Sequence, residues 1–170
     1  MELLPIAKRM AVLADPSKTP AQLEALQAAA RRRGVDLVIL RLATREDIEP
    51  ALDRAKAQGA QAVNLLASPL FNTALRPTLF TKATALDLPT ISQWAEAASE
   101  GSAFAYGPST NDIFRQIARM IAKLLQGTPP GQFPVEQPTT FKLAINLKTI
   151  MATKAAVPAA MLRSANELVE

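Results

Sequence analysis

Apolar runs of strand length alternate with amphipathic helical stretches through the first hundred residues, and only a few residues connect each to the next. That alternation specifies a parallel sheet with helices on both faces. The first strand reads from Lys8 to Ala14 and stops at Asp15-Pro16. Thr19-Pro20-Ala21-Gln22 opens a helix, with Thr19 as cap, Pro20 at the first helical position and Gln22 reaching back as in a capping box. Gly34 ends it. Val35–Leu40 is the second strand, and Thr44 caps a second helix that shows Ile48, Ala51, Leu52 and Ala55 on one face and closes at Gly59. Ala62–Ala67 is the third strand, Ala74–Leu86 a helix with Pro77 in its first turn, Leu88–Ile91 the fourth strand and Ala103–Tyr106 the fifth. The fold class is therefore α/β, a doubly wound parallel sheet.

The remainder reads differently. Ser109 caps a helix from Asn111 to Gln126 whose apolar positions, Ile113, Phe114, Ile117, Met120, Ile121, Leu124 and Leu125, make a wide stripe for a helix covering one side of a sheet. Thr128–Pro138 holds four prolines and reads as an extended connector. Phe141–Asn146 is a sixth strand, and short helices near Lys148–Lys154 and Ala159–Leu168 finish the chain.

Composition removes several classes of chemistry. There are 170 residues, 49% hydrophobic and 20% charged, as in a globular domain with a core. The absence of His and Cys excludes the usual zinc sites, thiol nucleophiles, disulfides and His-based triads. The turn after the first strand, Ala14-Asp15-Pro16-Ser17-Lys18-Thr19, lacks glycine, so neither a dinucleotide fingerprint nor a P-loop is present. No cofactor, metal or catalytic residue is expected. The net charge is +4, with one basic cluster, Arg31-Arg32-Arg33. It suits either the last turn of a helix or a phosphate patch. With no interleaved aromatic residue, a nucleic-acid partner is not expected. Apolar runs are too short to span a membrane. Met1–Arg9 carries no signal-peptide pattern, so the chain as written is expected in the cytoplasm unless an export signal lies upstream.

Ligands of open α/β sheets bind at the C-terminal ends of the strands. Asp15 and Ser17 follow the first strand, Ser68, Phe71 and Asn72 the third, and Gln93 and Trp94 the fourth; Tyr106 of the fifth strand completes the candidate set. Asp15 suits loop capping or ligand contact. Phe71 and Trp94 suit stacking on a ligand or plugging the core. The carboxylates Glu46/Asp47 and Glu96/Glu100 read as helix-terminal or solvated groups.

Several stretches resemble one family. Phe133-Pro134-Val135-Glu136-Gln137-Pro138-Thr139-Thr140-Phe141-Lys142-Leu143-Ala144-Ile145-Asn146-Leu147-Lys148-Thr149 is similar to the closing signature of bacterial ABC-transporter substrate-binding proteins of the tryptophan/tyrosine-binding type. Ala105-Tyr106-Gly107-Pro108-Ser109, Ala11-Val12-Leu13-Ala14-Asp15-Pro16, Ala67-Ser68-Pro69-Leu70-Phe71 and the ending Leu162–Glu170 also resemble it. The resemblance implies a clamp of two α/β lobes, periplasmic, with a small polar or aromatic solute between the lobes and a transporter permease as partner. Residues 1–105 would be the second lobe. Residues 106–132 would return to the first lobe as its packing helix and residues 133–170 would cross again, so that the 106–170 tail is expected to pack on the absent lobe. Left in water, the stripe on its helix is expected to drive a homodimer or aggregation. The rival readings are an effector-binding domain of a transcription regulator and an α/β enzyme using Asp15 as acid or base.

Overall fold

The computed structural model describes residues 3–71 and 75–170. Seven strands form one sheet among the described residues: β1 Arg9–Ala14, β2 Asp36–Arg41, β3 Val63–Leu65, β4 Thr90–Ser92, β5 Phe104–Pro108, β6 Phe141–Asn146 and β7 Glu167–Val169, in the order β2-β1-β3-β4-β5-β6-β7. Every pair is parallel except β5 with β6. The helices are α1 Pro20–Arg33, α2 Ile48–Ala57, α3 Arg76–Ala85, α4 Thr110–Leu125, α5 Leu147–Ala152 and α6 Ala159–Ser164.

Alternation along the strands sorts the core by face. Ala11, Leu13, Val63, Leu65, Ala105 and Ala144 point to one side and bury against Leu52 and Ala55 of α2, and Leu79, Phe80 and Ala83 of α3. Val12 and Ala14 point the other way, against Leu23 and Leu26 of α1. Phe104, Leu143 and Ile145 share that second side and pack on Ile150 of α5 and Met161 and Leu162 of α6. The doubly wound reading holds, with element ends within a few residues of those read from the sequence.

Local chemistry differs from expectation at both early caps. Thr19 precedes α1, but its hydroxyl donates to the Asp15 carbonyl at 2.8 Å, and Gln22 accepts from the Ala67 N–H at 3.0 Å instead of closing a capping box. The loop before α2 is held from its far end: Asp47 accepts from the Ala43 and Thr44 N–H groups, both at 2.9 Å, so Thr44 is a donor to the loop and not the cap. Arg31, Arg32 and Arg33 occupy the last turn of α1, followed by Gly34 in the left-handed region at φ 62°.

The tail divides. None of the sixteen residues of α4 is buried. Residues 141–169, by contrast, are built into this sheet and do not stand apart from it. β6 pairs antiparallel with β5 from Phe104↔Ile145 to Pro108↔Phe141, which satisfies the backbone groups of an edge that would otherwise be open. The last helix stops at Ser164, not Leu168. Asn166 explains the stop: its side-chain oxygen accepts from the Leu143 N–H at 2.8 Å and its own N–H donates to the Leu143 carbonyl at 2.8 Å, which seats β7 beside β6.

Gly107, in the middle of the β5–β6 ladder, lies against the Gln93 backbone, and an added β-carbon would collide with the Gln93 carbonyl oxygen. Gly131 faces open space. Gly107→Ala is expected to lower stability by about 1–3 kcal/mol, as overpacking does. Gly131→Ala should stay within about 0.5 kcal/mol of the wild type. Urea midpoints of the two variants check this; equal midpoints would contradict the close packing.

Candidate ligand-binding edge

The C-terminal ends of β1, β3 and β4 lie side by side because those strands are parallel neighbours. Asp15 follows β1, is 8% exposed, and ties the first two loops together. Its Oδ1 accepts from the Ser17 N–H at 2.9 Å and the Ser17 hydroxyl at 2.7 Å, while its Oδ2 accepts from the Ser68 hydroxyl at 2.8 Å. Ser68 in turn accepts from the Leu70 N–H at 3.1 Å and so starts the 3-10 turn Pro69–Phe71. The hydroxyls of Ser17 and Ser68, and less strongly the Ser17 N–H and the Lys18 charge, hold the Asp15 carboxyl below its ordinary range against the opposing effect of desolvation. Asp15 is therefore occupied in organising the loops.

A cavity of about 580 Å³ opens beside this knot. Ser68, Phe71 and Trp94 line it with Arg76, Glu96, Glu100, Thr110, Asn111 and Ile113. Phe71 is buried and Trp94 is 37% exposed, so the indole is the wetter of the two rings. The Arg76 Nε lies 2.9 Å from a Glu100 carboxylate oxygen, with side chains only 11% and 20% exposed. Desolvation raises the Glu100 carboxyl above its ordinary range, and neighbouring Glu96 adds to this while Arg76 opposes it. Glu96 is committed elsewhere: it accepts from the Thr110 N–H at 2.8 Å and the Thr110 hydroxyl at 3.1 Å, at the N-terminus of α4. Ser109 makes no side-chain capping bond there, so Glu96 takes that place from across the cleft wall.

The candidate residues thus separate. Ser68, Phe71 and Trp94 come together on one wall, with Asp15 and Ser17 directly behind Ser68. Gln93 is half-buried and outside the cavity lining, its backbone carbonyl packed on Gly107. Tyr106 points to the opposite face, where it stacks on Phe141 with ring centroids 5.9 Å apart. Asn72 lies outside the described residues. Arg76, Glu96 and Glu100 belong to the wall, although Glu96 and Glu100 read as solvated from sequence. Their position just after β4, the rule that picks out Trp94, was the available signal. Among the described residues no group of three or more His, Cys, Asp or Glu is placed to hold a metal ion. A charged pair of both signs beside two aromatic rings suits a small molecule with an apolar body and polar or charged ends.

Comparisons with known proteins bear on the family and the fold. A family model described as "ABC transporter substrate binding protein" matches residues 1–169. No curated protein matches. Among solved structures, a conserved domain protein from Vibrio cholerae superposes with TM-score 0.86 at 21% identity, over 98% of this chain and 56% of the other. An ABC domain in complex with L-Trp from Streptococcus pneumoniae gives 0.86 at 19% identity, over 99% and 57%. The ligand-free, open structure of a substrate-binding protein with adhesive properties from Clostridium difficile gives 0.71 at 17%, over 98% and 56%. The chain spans little more than half the length of these three.

The loop knot has a pH signature. Because the folded Asp15 carboxyl titrates below its ordinary 3.8, its stabilisation is complete above that value and is lost as pH falls through the folded value. Asp15→Asn should be less stable than the wild type at pH 7. The difference should shrink as pH drops below 3.8. Thermal melts of both chains from pH 7 to 2.5 measure it, and a difference that stays constant with pH would remove the charge from the account.

Proposed function

Since this chain belongs to the ABC transporter substrate-binding protein family, we propose that it binds a small solute, an amino acid with an aromatic or polar side chain, at the edge formed by the ends of β1, β3 and β4. The observation that carries the reading is the cavity itself, which sets Trp94 and Phe71 beside the Arg76–Glu100 pair. Indole and phenyl faces accept an apolar or aromatic body, and the charged pair matches the two ends of a zwitterion. Ser68 and the loop that Asp15 and Ser17 hold in place supply hydrogen bonds.

In this reading residues 1–105 are the second lobe of a clamp. Solute bound between two walls favours the closed arrangement by its differential affinity for that state, and the closed form is what a transporter permease recognises. The reading includes a periplasmic site of action and assigns no reaction; both rest on the family. One wall makes only part of the contacts, so this chain alone binds weakly, with a dissociation constant on the order of 1 mM, a free energy of about 4 kcal/mol.

Trp94 is the only tryptophan, so its fluorescence reports on the site directly. Titration with a panel of amino acids is expected to give saturable, weak binding for aromatic members. Trp94→Phe should retain that binding in calorimetry while Trp94→Ala loses it by tenfold or more. Failure of every solute, or affinity unchanged by Trp94→Ala, would overturn the reading.

A further inference from the structure

The stretch Phe141–Thr149 supplies β6 and the start of α5, and none of its residues lines the cavity. Its polar side chains nevertheless reach the cavity wall from behind. Trp94, Glu96 and Glu100 all lie in the connection from β4 to β5, whose only regular element is the 3-10 turn Ala95–Ala98. Local bonds coil this connection. The Ala97 N–H donates to the Trp94 carbonyl at 3.0 Å, and the Ala97 carbonyl accepts from the Glu100 N–H at 3.2 Å and the Ser102 N–H at 2.9 Å. The buried residues of the turn are Ala95, Ala97 and Ala98. Single methyl groups make few contacts, so packing alone does little to fix the orientation of the turn.

Two side chains of the β6–α5 unit supply the missing hold. Asn146 ends β6 and, by alternation, shares the face of Ala144, which packs in one cluster with Ala97 and Ala98. Its Nδ2 donates to the Ala98 carbonyl at 2.8 Å, across forty-eight residues of chain. Its Oδ1 accepts from the Thr149 N–H at 2.8 Å and so caps α5. The cap in turn seats Thr149, whose hydroxyl donates to the Gly101 carbonyl at 3.1 Å. Asn146 and Thr149 are both buried. The two carbonyls they grip flank Glu100, since Ala98 lies two residues before it and Gly101 directly after it. Held on both sides, Glu100 meets Arg76, whose Nε lies 2.9 Å from its carboxylate.

We infer that Asn146 and Thr149 are positioning residues of the candidate site, holding the Glu100 segment so that its carboxylate meets Arg76 in the cavity wall. They touch no solute. They act as outer partners do at any built site, by fixing where a contacting group sits. Their effect on binding rests on the solute reading above; their hold on Glu100 does not.

Four variants of the full chain test this. Thr149→Val keeps the shape of the side chain and removes its hydroxyl. Thr149→Ser keeps the hydroxyl. Asn146→Ser keeps a capping oxygen for α5 and gives up the bond to Ala98. Thr153→Val is the control, because the Thr153 hydroxyl bonds the Thr149 and Ile150 carbonyls inside its own helix. Phenylalanine affinity is measured by Trp94 fluorescence, and the Glu100 titration by carboxyl carbon-13 NMR. In the wild type Glu100 titrates above its ordinary 4.5, chiefly because burial strips water from it. Thr149→Val and Asn146→Ser should weaken phenylalanine binding by about fivefold, the worth of one hydrogen bond. Both should also move the Glu100 titration back toward 4.5. Thr149→Ser and Thr153→Val should keep the wild-type values. If Thr149→Val does not fold, Asn146→Ser carries the comparison. Either measurement unchanged in the folded variants overturns the inference, and so does an equal change in Thr153→Val, which would make the effect general to α5. A wild type that binds no amino acid removes the solute reading. The Glu100 titration then decides alone, supporting the positioning role if it moves in Thr149→Val and not in Thr153→Val, and overturning it otherwise.

Discussion

A parallel sheet has two apolar faces and can surrender neither to water, since its strands are linked by crossovers that lay helices on both sides. That constraint organises this molecule. α2 and α3 cover one face, α1, α5, α6 and the N-terminal residues Leu4 and Ala7 the other, and most of the buried apolar side chains among the described residues lie between these layers and the strands. Above β3 to β5 the N-terminal segment gives part of that cover, with Leu4 and Ala7 buried against Ala62 and Phe104 beside an apolar groove, while the stripe of α4 stays exposed.

The second consequence of parallel pairing is chemical. Strands that all run the same way end at the same edge, so loops distant in sequence converge there. Here the convergence is held by polar groups too short to reach far. Asp15 draws in Ser17 and, fifty-three residues away, Ser68. Glu96 reaches fourteen residues on to Thr110 and so joins the wall of the cavity to the start of α4. The site and α4 are thus mechanically connected through one carboxylate.

The sequence carried most of this architecture because its local signals were unambiguous. β6 has the same bounds in both readings, since Phe141–Asn146 sits between a proline-rich connector and a capping asparagine, whose side chain accepts from the Thr149 N–H. Gly34 and Gly127 mark helix ends in the left-handed region as their positions implied. What escaped was decided by distant partners. Three residues, Glu167–Val169, become a strand only because Asn166 pairs with Leu143. Gln22 abandons a capping box for Ala67, forty-five residues on. Part of the candidate site was legible from strand ends, namely Ser68, Phe71 and Trp94. Tyr106, a candidate from its place in the fifth strand, lies away from this cavity, because alternation from Ala105 sets its direction. Glu100 looked like a surface acid because nothing local reveals that Arg76 would meet it.

The meeting of Pro108 with Phe141 also has an entropic side. Before β5 and β6 can pair, the chain must bring together the two ends of a loop of roughly thirty residues, which costs about 3 kcal/mol of chain freedom. The loop returns little of this by apolar burial, since no residue of α4 is fully buried, and its ties to the rest of the unit are polar ones such as the Glu96–Thr110 bonds. The five-pair ladder and the packing of α5 and α6 beyond it must therefore offset that cost. The last third of the sheet is thus closed over a long tether, and substitutions that weaken the β5–β6 ladder act on the step that bears the largest cost in chain freedom.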